Sequence, residues 1–435
     1  MKYQEALDYI ESIQSYGIVP GLSSIEELCR LLGNPQEELK FVHIAGTNGK
    51  GSSLAYISTI LKCAGYRVGR YISPTIFEYR ERIQVNGRNI TKKALCEGME
   101  IIQKACQDMV VRGMAHPTAF EVETALGFWY FKQSACDIVV LECGMGGLQD
   151  ATNLIQNTEV AVLASISMDH MKFLGASLQE IASQKAGIIK PGCSVVSAMQ
   201  KAEAMLAIEG VARQVGCEVQ VADLSCISNL KCGKGRNIEC QKFDYRSEDG
   251  VCLKQLEIRL AGAVQPANAL LALEVVRVLQ KRGFEISEKA IRKGFAETVW
   301  MGRFSVIDHK PLFVVDGAHN EDAAAKLAES LEFYFTNRRI IYIMGILRDK
   351  EYEKVIALTH GYADQIITVT PPENPRAMAA YELAQEIAKV HPQVTAVDSL
   401  EEAVEMARLL AGPEDVIVAF GSLSYLGRLI RIVER

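Results

Sequence analysis

The stretch that most constrains this chain is Phe41–Ser52, which reads FVHIAGTNGKGS. Phe41–Ala45 is a short, mostly apolar run that suits a buried strand, and apolar residues recur at helical spacing through Ser52–Ala64. A strand, a glycine-rich turn and a helix in succession make a loop for phosphate. Gly46, Gly49 and Gly51 lack side chains, so backbone N–H groups of the turn, with Thr47 and Asn48 between them, can converge on phosphate oxygens beside a helix N-terminus. Lys50 would bring a point charge to the phosphates, and a hydroxyl near the helix start would reach Mg²⁺. Two positions depart from the general nucleotide-loop pattern. Ile44 stands where a first glycine is expected, and Gly51 where Ser or Thr is, so the hydroxyl is displaced to Ser52.

A length of 435 residues exceeds what one core usually serves, so two domains are expected. The hydrophobic fraction of 49% and charged fraction of 23% suit an ordinary globular protein. A net charge of −6 gives no electrostatic reason to expect nucleic-acid or anionic-membrane binding. The 12 cysteines include no CxxC pair, and Cys226, Cys232 and Cys240 are too irregularly spaced for a metal site. They read as reduced thiols of a cytoplasmic protein. The start, MKYQEALDYIESI, is amphipathic and acidic rather than a signal peptide, and no apolar run reaches membrane-spanning length.

Residues 1–40 read as two short helices joined by SYGIVPGLSS, the second capped by Ser23 or Ser24. A second strand in 65–73 ends at Ser73-Pro74, and the following TIFEYRERIQVNGRNI reads as a loop with a turn at Asn86-Gly87. Helices follow over Lys92–Val111 and Ala119–Phe131. The latter carries Glu121 and Glu123, whose spacing lets at most one face the core; Glu121, beside Phe120, is the better candidate. Asp137–Cys143 reads as a strand buried on both faces. It ends in Glu142 before GMGGLQDATN, where open α/β sheets bind ligands. After a further strand, His170 sits in a loop, equally suited to a structural or a metal-binding role. Lys185, on the helix Ser177–Ile189, reads in isolation as a solvated charge. A small antiparallel excursion is expected over residues 226–260, then a long helix with Asn268 in its first turn. Beyond a boundary near residues 296–301, strands and helices alternate as in a doubly wound parallel sheet, whose first strand ends in Asp316-Gly317-Ala318-His319-Asn320.

Taken in order, GTNGKGS (46–52), YISP (71–74), LECGMGGLQDATN (141–153), DHMKFLG (169–175), KAGIIKPG (185–192), GRF (302–304) and DGAHN (316–320) resemble folylpolyglutamate synthase and dihydrofolate synthase, members of the Mur ligase superfamily. The resemblance covers nearly the whole chain. It implies an α/β architecture in which a P-loop-type, parallel-sheet ATPase domain (1–297, including the excursion) precedes a Rossmann-like, doubly wound glutamate-ligase domain (298–435). It also assigns roles. Gly46–Ser52, Asn268, Arg303 and Asp316 would bind ATP. Ser52, Ser73, Glu142, His170 and Lys185 would serve two Mg²⁺ ions, with Lys185 N6-carboxylated. Gly21, Leu22, Ser23, Ser24, Thr118, Phe120, Glu121, Gln149, Asp150 and Ala151 would face the pterin-bearing substrate. His319 and Ser422 would hold the incoming glutamate or the acyl phosphate, and Lys50, His170, Lys185 and His319 would be catalytic. Two positions depart from the family pattern: Leu148-Gln149 where many members read Arg-Leu, and Val264 where a histidine is frequent.

The implied reaction activates a substrate carboxylate with ATP and joins L-glutamate to it, in an interdomain cleft whose closure excludes water. The partners are small molecules, ATP, L-glutamate and a folate or dihydropteroate, and a monomer is expected. Two other readings are a Mur-type ligase acting on a cell-wall precursor and a nucleotide-dependent switch without ligation. Glycine between Lys50 and Ser52 favours the folate branch over the first. The carboxylate, histidine and lysine gathered at successive strand ends disfavour the second.

Overall fold

The computed structural model describes residues 1–17, 21–169, 171–233 and 238–435. The chain divides into two units, Met1–Leu224 with Ala267–Phe295, and Ser225–Pro266 with Ala296–Arg435.

The first unit is built on an eight-stranded sheet. Its strands are β1 (Phe41–Ala45), β2 (Val68–Tyr71), β3 (Ile83–Val85), β4 (Arg88–Asn89), β5 (Ile138–Glu142), β6 (Thr158–Leu163), β7 (Ser194–Ala198) and β8 (Val219–Ala222), in the order β4-β3-β2-β5-β1-β6-β7-β8. β1 is buried along its whole length and pairs in parallel with β5 and β6. The chain leaves β1 towards β2 on one side and later crosses to β6 on the other, so the C-terminal end of β1 is a switch point of the kind that binds ligands. The helices Tyr3–Ile13, Ser23–Leu31, Lys92–Val111 and Ala119–Gln133 share one core cluster with Phe41, Tyr71, Val139 and Leu141. A second cluster joins Ala161, Leu163 and Val195 to the helices Leu178–Ala186 and Ala202–Gln214.

Three local expectations are corrected. Residues 79–90 form a short 3₁₀ turn and a hairpin rather than a loop. Asn86 (φ 50°) and Gly87 (φ 76°) take the left-handed pair that a tight hairpin requires, and Asn86 Oδ1 accepts from Val68 N at 2.9 Å. The helix Ser23–Leu31 has Leu22 at its N-cap and no capping side chain, because both serines lie inside its first turn. Glu121 and Glu123 are both buried, 5% and 6% exposed. Glu121 closes a capping box with Thr118, and Glu123 lies 3.3 Å from Arg82, so each carboxylate has its own reason to be inside.

The second unit carries a three-stranded antiparallel sheet, β9 (Ile227–Cys232), β10 (Gln241–Arg246) and β11 (Cys252–Ile258), and a six-stranded sheet. The latter comprises β12 (Ser305–His309), β13 (Leu312–Val315), β14 (Ile340–Met344), β15 (Gln365–Thr368), β16 (Val394–Ala396) and β17 (Val416–Phe420), ordered β12-β13-β17-β14-β15-β16. Only β12, an edge strand not foreseen from the sequence, runs antiparallel among its described pairings. The antiparallel excursion belongs to this unit rather than to the first. Ile238 and Ala261 enter its core beside Phe304 and Leu312, and Ala263 N donates to Ser330 Oγ at 3.0 Å. Among the described residues no helix is long and apolar enough to cross a membrane.

Two core features generate predictions. A Cβ at Gly294 would lie 2.6 Å from Ile60 Cα and 2.9 Å from Ile60 N, so this glycine lets the helix Glu288–Glu297 touch the backbone of Lys50–Cys63. Gly294→Ala should therefore lower stability by about 1–3 kcal/mol, read as a lower urea midpoint; an unchanged midpoint would mean that the helices separate freely. His43, fully buried, has its pKa pushed down to about 3, first by burial and then by Lys190. The unfolded chain then takes up this proton first, so stability should fall as pH drops below about 6.5. His43→Gln should lose less stability than the parent between pH 7 and pH 5, and equal losses would exclude the residue as a source of acid sensitivity.

Candidate active site

The glycine-rich loop leaves β1 at Gly46 and enters the helix Lys50–Cys63 with Gly49 at the N-cap (φ 83°). It is fastened to the chain leaving β6. Thr47 N and Asn48 N donate to Ser165 O at 2.7 and 3.1 Å, and Thr47 Oγ1 donates to Ser167 O at 3.0 Å. The Thr47 side chain thus shapes the loop. A Cβ at Gly46 would lie 2.8 Å from Ala164 Cβ, and one at Gly49 would lie 2.6 Å from Asn268 Oδ1. These glycines admit close neighbours, and Asn268 is brought to the loop from far along the chain. Gly51 and Ser52 lie buried in the first helical turn.

Glu142 ends β5, which pairs with β1 so that Ile44 and Glu142 are in register. Its carboxylate is 4.0 Å from Lys50 Nζ and is largely buried. Two ammonium groups then meet on one carbonyl. Lys50 Nζ donates to Gly46 O at 3.0 Å, and Lys185 Nζ donates to the same oxygen at 2.9 Å. Lys185 is 4% exposed, and burial followed by the charge of Lys50 pushes its pKa down to about 7. The lysine that read as a solvated charge is among the most buried ionisable groups of the unit. Gly147 makes its position possible, since a Cβ there would lie 2.7 Å from both Gln184 O and Lys185 O.

Ser73 lies two residues beyond β2, which pairs in parallel with β5, so it emerges at the same sheet edge as Glu142. Its peptide bond to Pro74 is cis. Serine and glutamate supply hard oxygen donors, which suits Mg²⁺, an ion that keeps several waters and is bound through one or two carboxylates plus substrate phosphates. Among the described residues no group of three or more His, Cys, Asp and Glu is arranged to hold a metal. His170 lies outside the described residues.

The residues expected at the substrate lie on three segments, 21–24, 118–121 and 149–151, the last within the neighbouring turn. Asp150 Oδ2 accepts from Met145 N at 2.8 Å, and Oδ1 accepts from Thr152 N and Oγ1 at 3.0 and 2.5 Å, so this carboxylate organises the turn 145–152. Thr152 Oγ1 and Cys143 Sγ lie 2.9 and 3.0 Å from His43 Nε2, tying the turn to the middle of β1. Phe120 packs on Gly144, where a Cβ would lie 2.4 Å from its ring. Glu121 is committed to Thr118, Gln149 is exposed and Ala151 buried. Gly21, Leu22, Ser23 and Ser24 form the entry to the helix Ser23–Leu31. His43, Thr152 and Gly147 were missed from sequence. Only His43 left a signal there, as a polar residue inside an apolar strand.

In the second unit, Asp316 follows β13 and is half-buried. Its carboxylate accepts from Phe304 N and Ala318 N, each at 2.7 Å; burial raises its pKa while Arg303 beside it opposes the rise. Gly317 N donates to Gly302 O at 2.9 Å, so GRF and DGAHN form one structure. His319 Nδ1 donates to Gly317 O at 2.7 Å. Ser422 caps the helix Leu423–Val433 beyond β17, the parallel neighbour of β13.

Residues 44–276 match the Mur ligase middle domain, and residues 302–423 match the Mur ligase glutamate ligase domain. The chain is 32% identical over 430 residues to the dihydrofolate synthase/folylpolyglutamate synthase of Bacillus subtilis, spanning 98% of this chain and 97% of that protein. It is 34% identical over 437 residues to the folylpolyglutamate synthase of Lacticaseibacillus casei, spanning 99% and 98%. Mycobacterium tuberculosis folylpolyglutamate synthase, crystallised with ADP and AMPPCP, is similar in structure with a TM-score of 0.89 at 28% identity, over 100% of this chain and 99% of that one. Both domain matches in order, with such relatives aligned nearly end to end, make the conclusion plain: this chain belongs to the folylpolyglutamate synthase/dihydrofolate synthase family of ATP-dependent Mur ligases.

Proposed function

We propose that this chain joins L-glutamate to a folate through an acyl phosphate made with ATP, with dihydropteroate as the second acceptor to be tested. The observation that carries this reading is the meeting of Lys50, Lys185 and Glu142 around the glycine-rich loop at the switch point of the first sheet. A carboxylate does not condense with an amine in water at a useful rate, because its oxygen is a poor leaving group. In the first step a substrate carboxylate oxygen attacks the γ-phosphorus of ATP, and ADP leaves. The glutamate nitrogen then attacks the acyl carbon, loses a proton, and phosphate departs from the tetrahedral intermediate. The protein contributes mainly positioning and neutralisation of charge.

The loop N–H groups and Lys50 would hold the β- and γ-phosphates, with Asn268, Arg303 and Asp316 as further nucleotide contacts. Ser73 and Glu142 would hold Mg²⁺, with Ser52 near the phosphates and His170 and Lys185 at a second ion; bound there, Mg²⁺ would neutralise charge developing on the transferred oxygens. The turn 149–151, the segment 118–121 and residues 21–24 would contact the pterin-bearing substrate. His319 and Ser422 would serve the glutamate or the acyl phosphate.

The two lysines sharing Gly46 O support carboxylation of Lys185. Two ammonium groups on one carbonyl repel, and burial with Lys50 nearby favours the neutral amine at Lys185, the form that adds CO₂. Carboxylation would turn a repelled cation into an anion beside phosphate-bound cations. Lys185→Ala should abolish ligation while nucleotide binding, followed by calorimetry, is largely kept, and added short carboxylic acids should restore part of the activity. Full activity in the variant would exclude a role for the residue.

The activity itself is tested by phosphate release with ATP, Mg²⁺ and L-glutamate, offering tetrahydrofolate and dihydropteroate separately. Release with tetrahydrofolate is expected. Release with dihydropteroate would add the synthase step, and silence with both would overturn the folate assignment.

A further inference from the structure

Residues 73–82 form a loop that is braced chiefly by itself. Ile76 N, Phe77 N and Glu78 N all donate to the Glu81 carboxylate, at 2.9, 3.1 and 3.2 Å. Arg80 and Asn89 grip Glu78, each at 2.9 Å. These contacts fix the shape of the loop and tie it to the edge strand β4, and none of them reaches the helix Ala119–Gln133. Arg82 differs from them. Its Nη1 lies 3.3 Å from Glu123 Oε2 on the helix Ala119–Gln133, with the two side chains 15% and 8% exposed. Its carbonyl accepts from Ile72 N at 3.0 Å, so the residue that makes the ion pair also holds the backbone next to Ser73.

The same helix touches the other side of the candidate site. Phe120, one turn before Glu123, packs on Gly144 just after Glu142, and Thr124 lies 3.1 Å from the Tyr71 hydroxyl at the end of β2. One rigid helix is therefore in contact with both strand ends that deliver Ser73 and Glu142. A buried ion pair is a poor device for stability alone, since well-packed apolar residues of similar volume often serve as well or better. It does set the distance between the two elements it joins.

We propose that the Arg82–Glu123 pair is a positioning clamp, which sets Ser73 relative to Glu142 through Ile72 and the helix Ala119–Gln133. This rests on the reading of Ser73 as a magnesium donor. Neither clamp residue is proposed to touch substrate or metal.

The test compares the parent with Arg82→Met/Glu123→Leu, which removes both buried charges, and with Ser73→Ala. Three measurements are made: the urea midpoint, hydrogen exchange over residues 72–82, and Mg²⁺-dependent binding of a non-hydrolysable ATP analogue by calorimetry. The double variant should keep a midpoint near the parent's. It should exchange faster over residues 72–82 and need several-fold more Mg²⁺ for half-maximal analogue binding. Ser73→Ala should also need more Mg²⁺, with parental exchange. Raised demand in Ser73→Ala with parental demand in the double variant overturns the clamp and leaves the magnesium reading standing. Parental demand in Ser73→Ala overturns the magnesium reading and the purpose assigned to the clamp with it. Should the double variant fail to fold, Arg82→Lys decides: it keeps the charge but moves the donor, and parental Mg²⁺ demand there overturns the clamp.

Discussion

The carbonyl of Gly46 receives two lysine ammonium groups, and much of the first unit can be understood from what it takes to bring them there. Lys50 arrives locally, one helical turn beyond the oxygen it binds. Lys185 arrives from a distant helix, and only because Gly147 lets the turn 145–152 press on the backbone of residues 184–185. The loop between them has little freedom, since Thr47 and Asn48 are hydrogen-bonded to Ser165 and Gly46 faces Ala164 without room for a side chain. A loop held this firmly beside Lys50 and a helix N-terminus suits an anion such as a nucleotide phosphate, because its backbone is already ordered when the anion arrives.

Buried polar groups around this loop divide the work. Asp150 holds a turn, Thr152 links that turn to His43 in the central strand, and Glu121 closes the start of a helix. The Asp150 and Glu121 carboxylates and the Thr152 hydroxyl are satisfied by neighbours within the fold, as buried polar atoms generally must be. Their chemistry is that of support, even though several occupy segments the family resemblance associates with substrate. Glu142 and Lys185 differ in kind: one is a buried carboxylate close to an ammonium, the other an ammonium disfavoured by its surroundings. A group perturbed as Lys185 is marks a place where a ligand or a modification can complete the balance of charge.

The second unit repeats the logic with other means. GRF and DGAHN, separated in sequence, join through Gly317 N and the Asp316 carboxylate, and Arg303 stands beside that carboxylate. The antiparallel sheet β9–β11, read from sequence as part of the first unit, belongs instead to the second, whose core takes in the flanking Ile238 and Ala261. Sequence order misled here because the chain enters the second unit, returns to the first through Ala267–Phe295, and only then completes the second.

By itself the sequence determined what local patterns and motifs can carry: the strand, loop and helix at Phe41–Cys63, the alternation of strands and helices after residue 300, and the family. Periodicity and glycine placement are short-range properties, and they survive in any fold that uses them. Only the tertiary structure decided that Lys185 is buried, that Glu121 and Glu123 are both inside for different reasons, and that residues 83–89 pair as a hairpin on the sheet. Lys185 and Glu123 depend on partners distant in the chain, Gly46 and Arg82, and the hairpin depends on its seat against β2; the burial of Glu121 rests on Thr118, three residues away. Burial of a charge is set by what stands opposite it, and that is a property of the fold rather than of the segment.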